Sequence, residues 1–183
     1  MSTKTLPDLE ILRQLFIYDA ETGELIWRER PLEFFKSERE RNSWNVRFAS
    51  KKAGSKRKIR NNYYIIVKIF KSKFFAHRII WKMHYGVEPP AIVDRINING
   101  IDNKISNLRE AYNHQNAVNS RKRKDNTSGY RGVDFHTRDE KWVARISCKD
   151  KRIFLGYFDT AEEAHAAYQK AAVEHHGEFR PKS

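Results

Sequence analysis

The sequence predicts an α+β protein made of two small modules, for which 183 residues suffice. Three observations predict this class. Residues 142–147 and 152–155 alternate between apolar and polar side chains, as strands with one buried face require. From residue 159 onward apolar side chains recur at the spacing of a helix. Upstream of both lies "SRKRKDNTSG", which has no apolar residue and is typical of a linker.

The chain is expected to begin with a short helix. "DLEILRQLF", residues 8–16, carries apolar side chains at helical spacing, with Asp8 in position to cap the helix start. "DAETGELIWRER" then predicts a turn at Thr22 and Gly23 that leads into a strand. Residues 30–52 are strongly charged and indicate no particular element.

A hairpin and a helix are expected next. The pattern predicts strands at residues 63–70 and 73–76, followed by a helix that ends at Gly86 in the C-terminal cap position. The basic run at residues 51–60 precedes them. We expect this run to be a loop that either faces phosphate groups or is simply solvated.

The middle of the chain predicts a strand, a polar loop and a helix. "VEPPAIVDRINING" passes from two prolines into the strand and the loop. "SNLREAYNHQNAVNSRKRK" then predicts a helix on which Leu108, Ala111 and Tyr112 share one face. We place the first domain at residues 1–120, the linker at 121–128 and the second domain at 129–183.

The last helix of the chain has clear start and stop signals. Thr160 and Glu163 can form a capping box, and Gly177 ends the helical pattern. Its apolar stripe consists mostly of alanines: Ala164, Ala167, Tyr168 and Ala171. Small side chains let a helix lie close to a three-stranded sheet, which leaves the other, basic and aromatic sheet face open to a ligand.

Composition narrows the partner and the class of site. A net charge of +13 and a pI near 9.9 indicate a partner rich in phosphate, with nucleic acid favoured over a merely basic or ribosome-associated role. No basic amphipathic helix favours a membrane surface. Cys148 is the single cysteine, which excludes a disulfide framework and a zinc ribbon. With no apolar signal segment, a cytoplasmic protein is expected.

The second module resembles the DNA-binding domain of plant APETALA-two and ethylene-response-factor proteins. The resemblance covers residues 128–179 and rests on "SGYRGV", "KWVARI", "FLGYFDTAEEAHAAY" and "AAVEHHGEF". That family reads double-stranded DNA from its sheet. The implied contacts are Arg131, His136, Arg138, Arg145, Ser147, Arg152 and Phe154. Asp134, Arg138, Arg145 and Ser147 depart from the usual plant residues, so the plant target sequence does not transfer. The linker residues Arg121, Lys122, Arg123 and Lys124 are further candidates for phosphate contact.

Residues 8–120 resemble the phage HNH homing endonucleases. The resemblance rests on "YDAETGELIWR", "WNVRFASKKAGS", "FFAHRIIWKMHYG", "VDRINING", "DNKISNLREA" and "NHQNAVN" in that order. It implies a two-stranded hairpin and a helix that hold one Mg²⁺ or Mn²⁺. Asp94 and Asn116 match the family's metal ligands, and a hard cation prefers such oxygen donors.

The resemblance fails at the general base. The family places a His directly after the Asp, to take a proton from the attacking water, but here that residue is Arg95. A guanidinium keeps its proton and can bind phosphate only. His77 and His114 are the nearest candidate replacements. Asn107 matches the family Asn that pins the loop, and Ile98 and Asn99 stand where the family usually has Gly and a polar residue.

Asn103 and Asn119 either contact phosphate or cap turns, and the turn-capping role is preferred for each. The whole pattern favours a monomeric, phage-encoded, DNA-binding nuclease that cuts one strand at most and is impaired by Arg95. The alternative is a non-catalytic regulator, or a binder of other nucleic-acid machinery, derived from such a nuclease. A third alternative is that Arg95 was introduced to inactivate the site.

Overall fold

The computed structural model of the protein describes residues 5–119, 126–148 and 151–180. Its residues cluster into two compact units, Met1–Ala111 and Tyr112–Ser183. The proposed linker residues Arg121, Lys122, Arg123 and Lys124 lie outside the described ranges. No helix within those ranges is both long and apolar enough to cross a membrane.

Among the described residues, the first unit has three α-helices and three separate small sheets. The helices are α1 (Leu9–Leu15), α2 (Glu38–Phe48) and α3 (Ala76–Tyr85). The strands are β1 (Phe16–Asp19), β2 (Glu24–Trp27), β3 (Ser55–Ile59), β4 (Asn62–Ile69), β5 (Ser72–Phe75), β6 (Val93–Arg95) and β7 (Leu108–Glu110). The sheets are β1–β2, β3–β4–β5 and β6–β7, and every pair is antiparallel.

Several predicted elements of the first unit are confirmed. The first helix, the strand after the turn at Gly23, and the hairpin followed by α3 all form where the pattern indicates. Gly86 caps α3 in the left-handed conformation, at a φ of 74°, which a residue without a Cβ adopts at little cost. Asp8 stands at the start of α1, but its side chain makes no cap hydrogen bond.

Two predictions in the first unit are wrong. The basic run at residues 51–60 is not a loop, because residues 55–59 form β3 and pair with β4. Leu108 does not begin a helix. It lies in β7 opposite Arg95 and packs into the core, so burial against the rest of the unit overrides the helical spacing. The helix begins only at Asn113.

The core of the first unit lies between α1, α3 and the inner face of the β3–β4–β5 sheet. Its fully buried side chains are Leu12, Leu15, Phe16, Val67, Ile69, Ile79 and Ile80. Arg30 sits at the edge of this core with its guanidinium 4.5 Å from the centre of Trp27 and 3.9 Å from that of Trp44. Burial lowers the pKa of Arg30 to about 10, so it stays charged at neutral pH.

The second unit is a three-stranded sheet covered by one long helix. Its elements are α4 (Asn113–Val118), β8 (Val133–His136), β9 (Lys141–Cys148), β10 (Lys151–Phe158) and α5 (Ala161–His176). The antiparallel sheet has the order β10–β9–β8. Thr160 and Glu163 form the predicted capping box, and Gly177 ends α5. Buried alanines of α5 pack against Ala144 and Ile146 of the central strand.

Candidate functional site

The β6–β7 hairpin carries the candidate catalytic residues of the first unit. Asp94 pairs with Arg109 across the hairpin, and Arg95 pairs with Leu108. Only 5% of Asp94 and 8% of Arg95 is exposed to solvent. The strand that the sequence predicts at "IVDRINING" therefore holds both side chains in the interior.

The guanidinium of Arg95 is directed into the protein. Its Nη2 lies 2.6 Å from Nδ1 of His77, which is on the first turn of α3. The guanidinium carbon also lies 5.0 Å from the ring centre of Tyr64, a cation–π distance. Arg95 is thus a buried cation that is held by an imidazole and an aromatic ring.

His77 accepts this hydrogen bond as a neutral imidazole. Burial lowers its pKa well below the ordinary value of 6.5, and the neighbouring charges of Arg95 and Arg78 lower it further. Because a guanidinium can only donate, Nδ1 must be the unprotonated nitrogen and Nε2 must carry the hydrogen. The lone pair of Nδ1 is therefore engaged by Arg95.

This lowered pKa predicts a pH dependence of stability. In the unfolded chain His77 binds a proton as the pH falls through 6.5, while the folded protein still excludes it. The contribution of His77 to the free energy of unfolding should therefore be constant well above pH 6.5 and fall by up to about 1.4 kcal/mol per pH unit below it. Urea unfolding followed by tryptophan fluorescence measures this slope.

The matched control for that slope is His77→Gln, which keeps an acceptor for Arg95 but cannot titrate. We expect its free energy of unfolding to fall less steeply between pH 6.5 and 5 than that of the wild type. Parallel curves for the two proteins would show that His77 titrates alike in the folded and unfolded chains.

Asp94 is already engaged by a cation. Nε of Arg109 donates to Oδ2 of Asp94 at 2.9 Å; the Asp94 side chain is buried, and that of Arg109 is 12% exposed. Asn116 lies on α4, which belongs to the second unit. A carboxylate oxygen and an amide oxygen are ligands that a hard divalent ion prefers, but Arg109 already places a positive charge beside Asp94. Within the described residues, no three His, Cys, Asp or Glu side chains cluster closely enough to hold a metal.

Asn107 ties the loop between the two strands of the hairpin. Its side-chain oxygen accepts from the Asn97 N–H at 3.0 Å, and its amide donates to Oδ1 of Asn97 and to the Asp102 carbonyl. Asn97 also donates to Oδ2 of Asp102 at 2.6 Å. These bonds fix the loop that follows Arg95 and so orient the strand that carries it.

The same loop contains two constrained backbone positions. Ile98 adopts a left-handed conformation with a φ of 62°, which is unfavourable for a β-branched residue and explains the Gly that the resemblance implies there. A Cβ at Gly100 would lie 2.1 Å from the Tyr63 carbonyl oxygen, so only glycine fits beside β4. The side chain of Asn62 donates to the Ile98 carbonyl.

The remaining candidates of the HNH-like region lie around this hairpin and on α4. Asn103 and Asn119 are both buried; Asn103 donates to the Ile101 carbonyl, and Asn119 ends α4. His114 is exposed on α4 and stacks on Tyr112 at 6.0 Å.

The outward face of the second sheet gathers most of the predicted DNA contacts. Across the sheet Arg145 pairs with Phe154, and Ser147 pairs with Arg152. His136 lies opposite Lys141 on the adjacent strand. Directly opposed residues share a face, as do residues two apart along a strand, so this pair is on the same face as Arg145 and Ser147. Ala144 and Ile146, which alternate with these positions, are buried against α5. The strand pattern therefore separates a core face from a cationic face.

An acidic residue lies among these cations. Oδ2 of Asp134 is 3.8 Å from Nη1 of Arg145 and 3.6 Å from Nη2 of Arg152. These half-exposed pairs are long and weak, but they bias both guanidinium groups toward one position on the face. Nδ1 of His136 lies 3.1 Å from Oδ2 of Asp139, and Arg138 is exposed in the same turn.

Arg131 differs from the other predicted contacts. It lies in the turn before β8, and its Nη1 donates to the Val118 carbonyl at the end of α4. The structure thus gives Arg131 a hydrogen bond within the second unit, whereas Arg145, Ser147, Arg152 and Phe154 lie together on the sheet face.

Sequence reasoning missed Arg109 and Tyr64 at the first site. Arg109 could have been found from the strand alternation of "LRE", had that segment been recognised as a strand opposite Asp94. No sequence pattern marked Tyr64 as a site residue, because its contact with Arg95 joins residues that are distant in sequence.

Comparisons with known proteins support two domains. Residues 74–118 match the HNH endonuclease family, and residues 128–178 match the AP2 domain family. The first match contains β6, β7 and α4, and the second contains the three-stranded sheet and α5. No solved structure matches the chain significantly.

The similar curated proteins fall into two groups. The AP2-like ethylene-responsive transcription factor TOE2 of Arabidopsis thaliana is 45% identical over 51 residues, which are 28% of this chain and 10% of that protein. APETALA2-like protein 2 of Oryza sativa is 43% identical over 51 residues, 12% of its length. The chain thus spans only a small part of these plant proteins. Protein 3.8 of Escherichia phage T7 is 28% identical over 104 residues, which are 56% of this chain and 85% of the phage protein.

Proposed function

We propose that this chain, which joins an HNH endonuclease domain to an AP2 domain, is a double-stranded DNA-binding protein of the phage homing endonuclease type whose strand cleavage is impaired. The observation that carries the proposal is the state of Arg95. It occupies the position of the general base, is buried, and donates to His77 at 2.6 Å. The site therefore has the frame of a nuclease without its proton acceptor.

DNA recognition is assigned to the outward face of the AP2 sheet. A sheet can enter the major groove, where Arg pairs in bidentate fashion with guanine and other basic groups contact phosphates. Arg145 and Arg152 are the proposed base-reading residues, with Ser147, His136, Arg138 and Phe154 beside them. Asp134 places an acidic group beside both arginines, which supports a target different from that of the plant proteins.

Cleavage would need a divalent ion, for which Mg²⁺ and Mn²⁺ are the proposed candidates. Asp94 and Asn116 would hold it, and when bound it would neutralise charge on the scissile phosphate and the leaving oxygen. The Arg109 pair at Asp94 weakens this binding, because the guanidinium already places a positive charge beside the carboxylate. Asn107 keeps the loop and the strand in register.

Neither candidate histidine replaces the missing base. Nδ1 of His77 is engaged by Arg95, so it cannot take a proton from water while that bond persists. His114 is exposed and stacks on Tyr112. Losing a positioned base typically costs ~10² to 10⁴ in rate, so we propose weak nicking of one strand at most.

The second candidate function is a non-catalytic DNA-binding regulator derived from such a nuclease, able to recruit a protein partner. The Arg95–His77 bond favours it, because Arg95 replaces the base and also engages the lone pair of the nearby His77. Under either function we propose a monomer whose domains are joined by the basic linker at residues 121–128. Similarity to a bacteriophage protein supports an origin in a phage and action in the bacterial cytoplasm.

Binding and nicking by the unaltered protein test the proposal. We expect duplex DNA to bind with an affinity that falls steeply as salt rises, because lysines and arginines displace counterions from phosphates. We also expect supercoiled DNA to stay largely intact in Mg²⁺ or Mn²⁺. The assignment of the base position would be contradicted if the protein nicked DNA rapidly, if Asp94→Asn abolished this nicking, and if substitutions of Arg95 had no effect on it.

A further inference from the structure

We infer that the outer face of the β3–β4–β5 sheet is a second DNA surface, which contacts the phosphate backbone beside the HNH site. By "outer face" we mean Arg57, Tyr64, Lys68, Lys73 and Phe75. The inference rests on the proposed DNA-binding function and extends it to a sheet that lies outside the AP2 domain.

Strand register assigns these five residues to one side of the sheet. Arg57 pairs with Tyr64, and Lys68 pairs with Lys73. Directly opposed residues share a face, and so do residues two apart along a strand. Val67 and Ile69 occupy the alternate positions of β4 and are fully buried in the core. The outer face is therefore the side away from the core.

In the part of the chain that the structure describes, the cations of this face have no ion-pair partner. Arg57, Lys68 and Lys73 are exposed, and within the described ranges no carboxylate forms an ion pair with any of them. Lys68 and Lys73 stand directly opposite one another on adjacent strands. Opposed like charges destabilise a sheet, so this pair weakens the free protein. A polyanion bound across the face would remove the repulsion.

Aromatic rings join this face to the HNH site. Tyr64 and Phe75 pack edge to face with ring centres 5.4 Å apart. Tyr64 also lies against the Arg95 guanidinium at 5.0 Å, and Phe75 lies 5.3 Å from the His77 ring. The face that carries the cations of β3, β4 and β5 is therefore adjacent to the hairpin that carries Asp94. The negatively charged backbone of a duplex at that hairpin would be attracted to the positive charges of this face.

The test compares two double variants of the full-length protein. Lys68→Gln with Lys73→Gln removes two charges from the outer face, and Lys56→Gln with Lys58→Gln removes two from the opposite side of β3. Each phosphate contact contributes about 0.9 to the slope of log affinity against log salt. For binding to a random-sequence DNA duplex, the magnitude of this slope should therefore decrease by about 2 in the first variant and change little in the second.

A thermal melt of each protein separates lost contacts from lost folding. Removing the Lys68–Lys73 repulsion should leave the melting temperature unchanged or raise it, while DNA affinity falls. A lower melting temperature together with weaker binding would count against the inference, because misfolding would then explain the loss.

Lysine labelling of the unaltered protein gives a measurement without substitutions. Bound duplex should protect Lys68 and Lys73 from an amine-reactive reagent and leave Lys56 and Lys58 reactive. Equal protection of both pairs, or equal salt slopes for both double variants, would overturn the inference while leaving DNA binding intact. If the unaltered protein shows no salt-dependent binding, the proposed function itself fails.

Discussion

Replacing Arg95 with His is expected to raise the rate at which the protein nicks supercoiled DNA by ~10² to 10⁴-fold in Mg²⁺ or Mn²⁺. The substitution places an imidazole next to Asp94, on the strand that Asn107 and Asn97 already hold in register. An imidazole can accept a proton near neutral pH, whereas a guanidinium cannot. The measurement is the conversion of supercoiled to open-circular DNA over time.

Arg95→Gln is the matched control, because it also removes the buried guanidinium but supplies no base. We expect its nicking rate to remain at the level of the unaltered protein. Equal gains in the His and Gln variants would contradict the assignment. If the gain in Arg95→Gln then vanished on adding His77→Gln, the base would be His77, released when its hydrogen bond to Arg95 is lost.

Gly132→Ala is expected to destabilise the AP2 domain by about 3 kcal/mol and to abolish DNA recognition by its sheet. Gly132 has a φ of 69°, which disfavours any residue with a Cβ. A Cβ there would also lie 2.4 Å from the Arg145 carbonyl oxygen and 2.5 Å from the Tyr168 ring. Because a domain of this size is marginally stable, such a loss leaves much of it unfolded.

Gly129→Ala separates the two causes of that effect. Gly129 has a similar φ of 75°, but a Cβ there would meet no atom within 4 Å. We expect a cost of about 1 kcal/mol, from backbone strain alone, with DNA binding retained. Hydrogen exchange of the buried Ala144 and Ile146 amides measures the stability of the sheet. Equal effects of the two substitutions would show that the contact with Arg145 and Tyr168 is relieved by small shifts.

The AP2 domain was the more predictable half of the protein. Apolar and polar residues largely alternate in its strands, Thr160 and Glu163 mark the helix start, and Gly177 marks the end, so local signals agree with the tertiary packing. The resemblance then led from these elements to Arg145, Ser147 and Arg152, which the register brings onto one face. Val143 is the exception on that face, because it is buried although its neighbours are exposed.

The HNH region was less predictable because its short strands depend on distant partners. Residues 55–59 are exposed and basic, and only pairing with β4 makes them a strand. Leu108 lies in a strand of three residues, too short for its alternation to be read. The Arg109–Asp94 pair and the Lys68–Lys73 pair both follow from cross-strand register, which no local pattern specifies.

The sequence by itself determined that a guanidinium replaces an imidazole after Asp94, because the order of residues fixes which chemical groups are present. It also determined the basic charge and the presence of two kinds of domain. Only the tertiary structure decided what Arg95 does: its guanidinium is buried, bonded to His77 and stacked on Tyr64. These partners come from α3 and β4, and residues far apart in the chain meet only when the core brings their elements together.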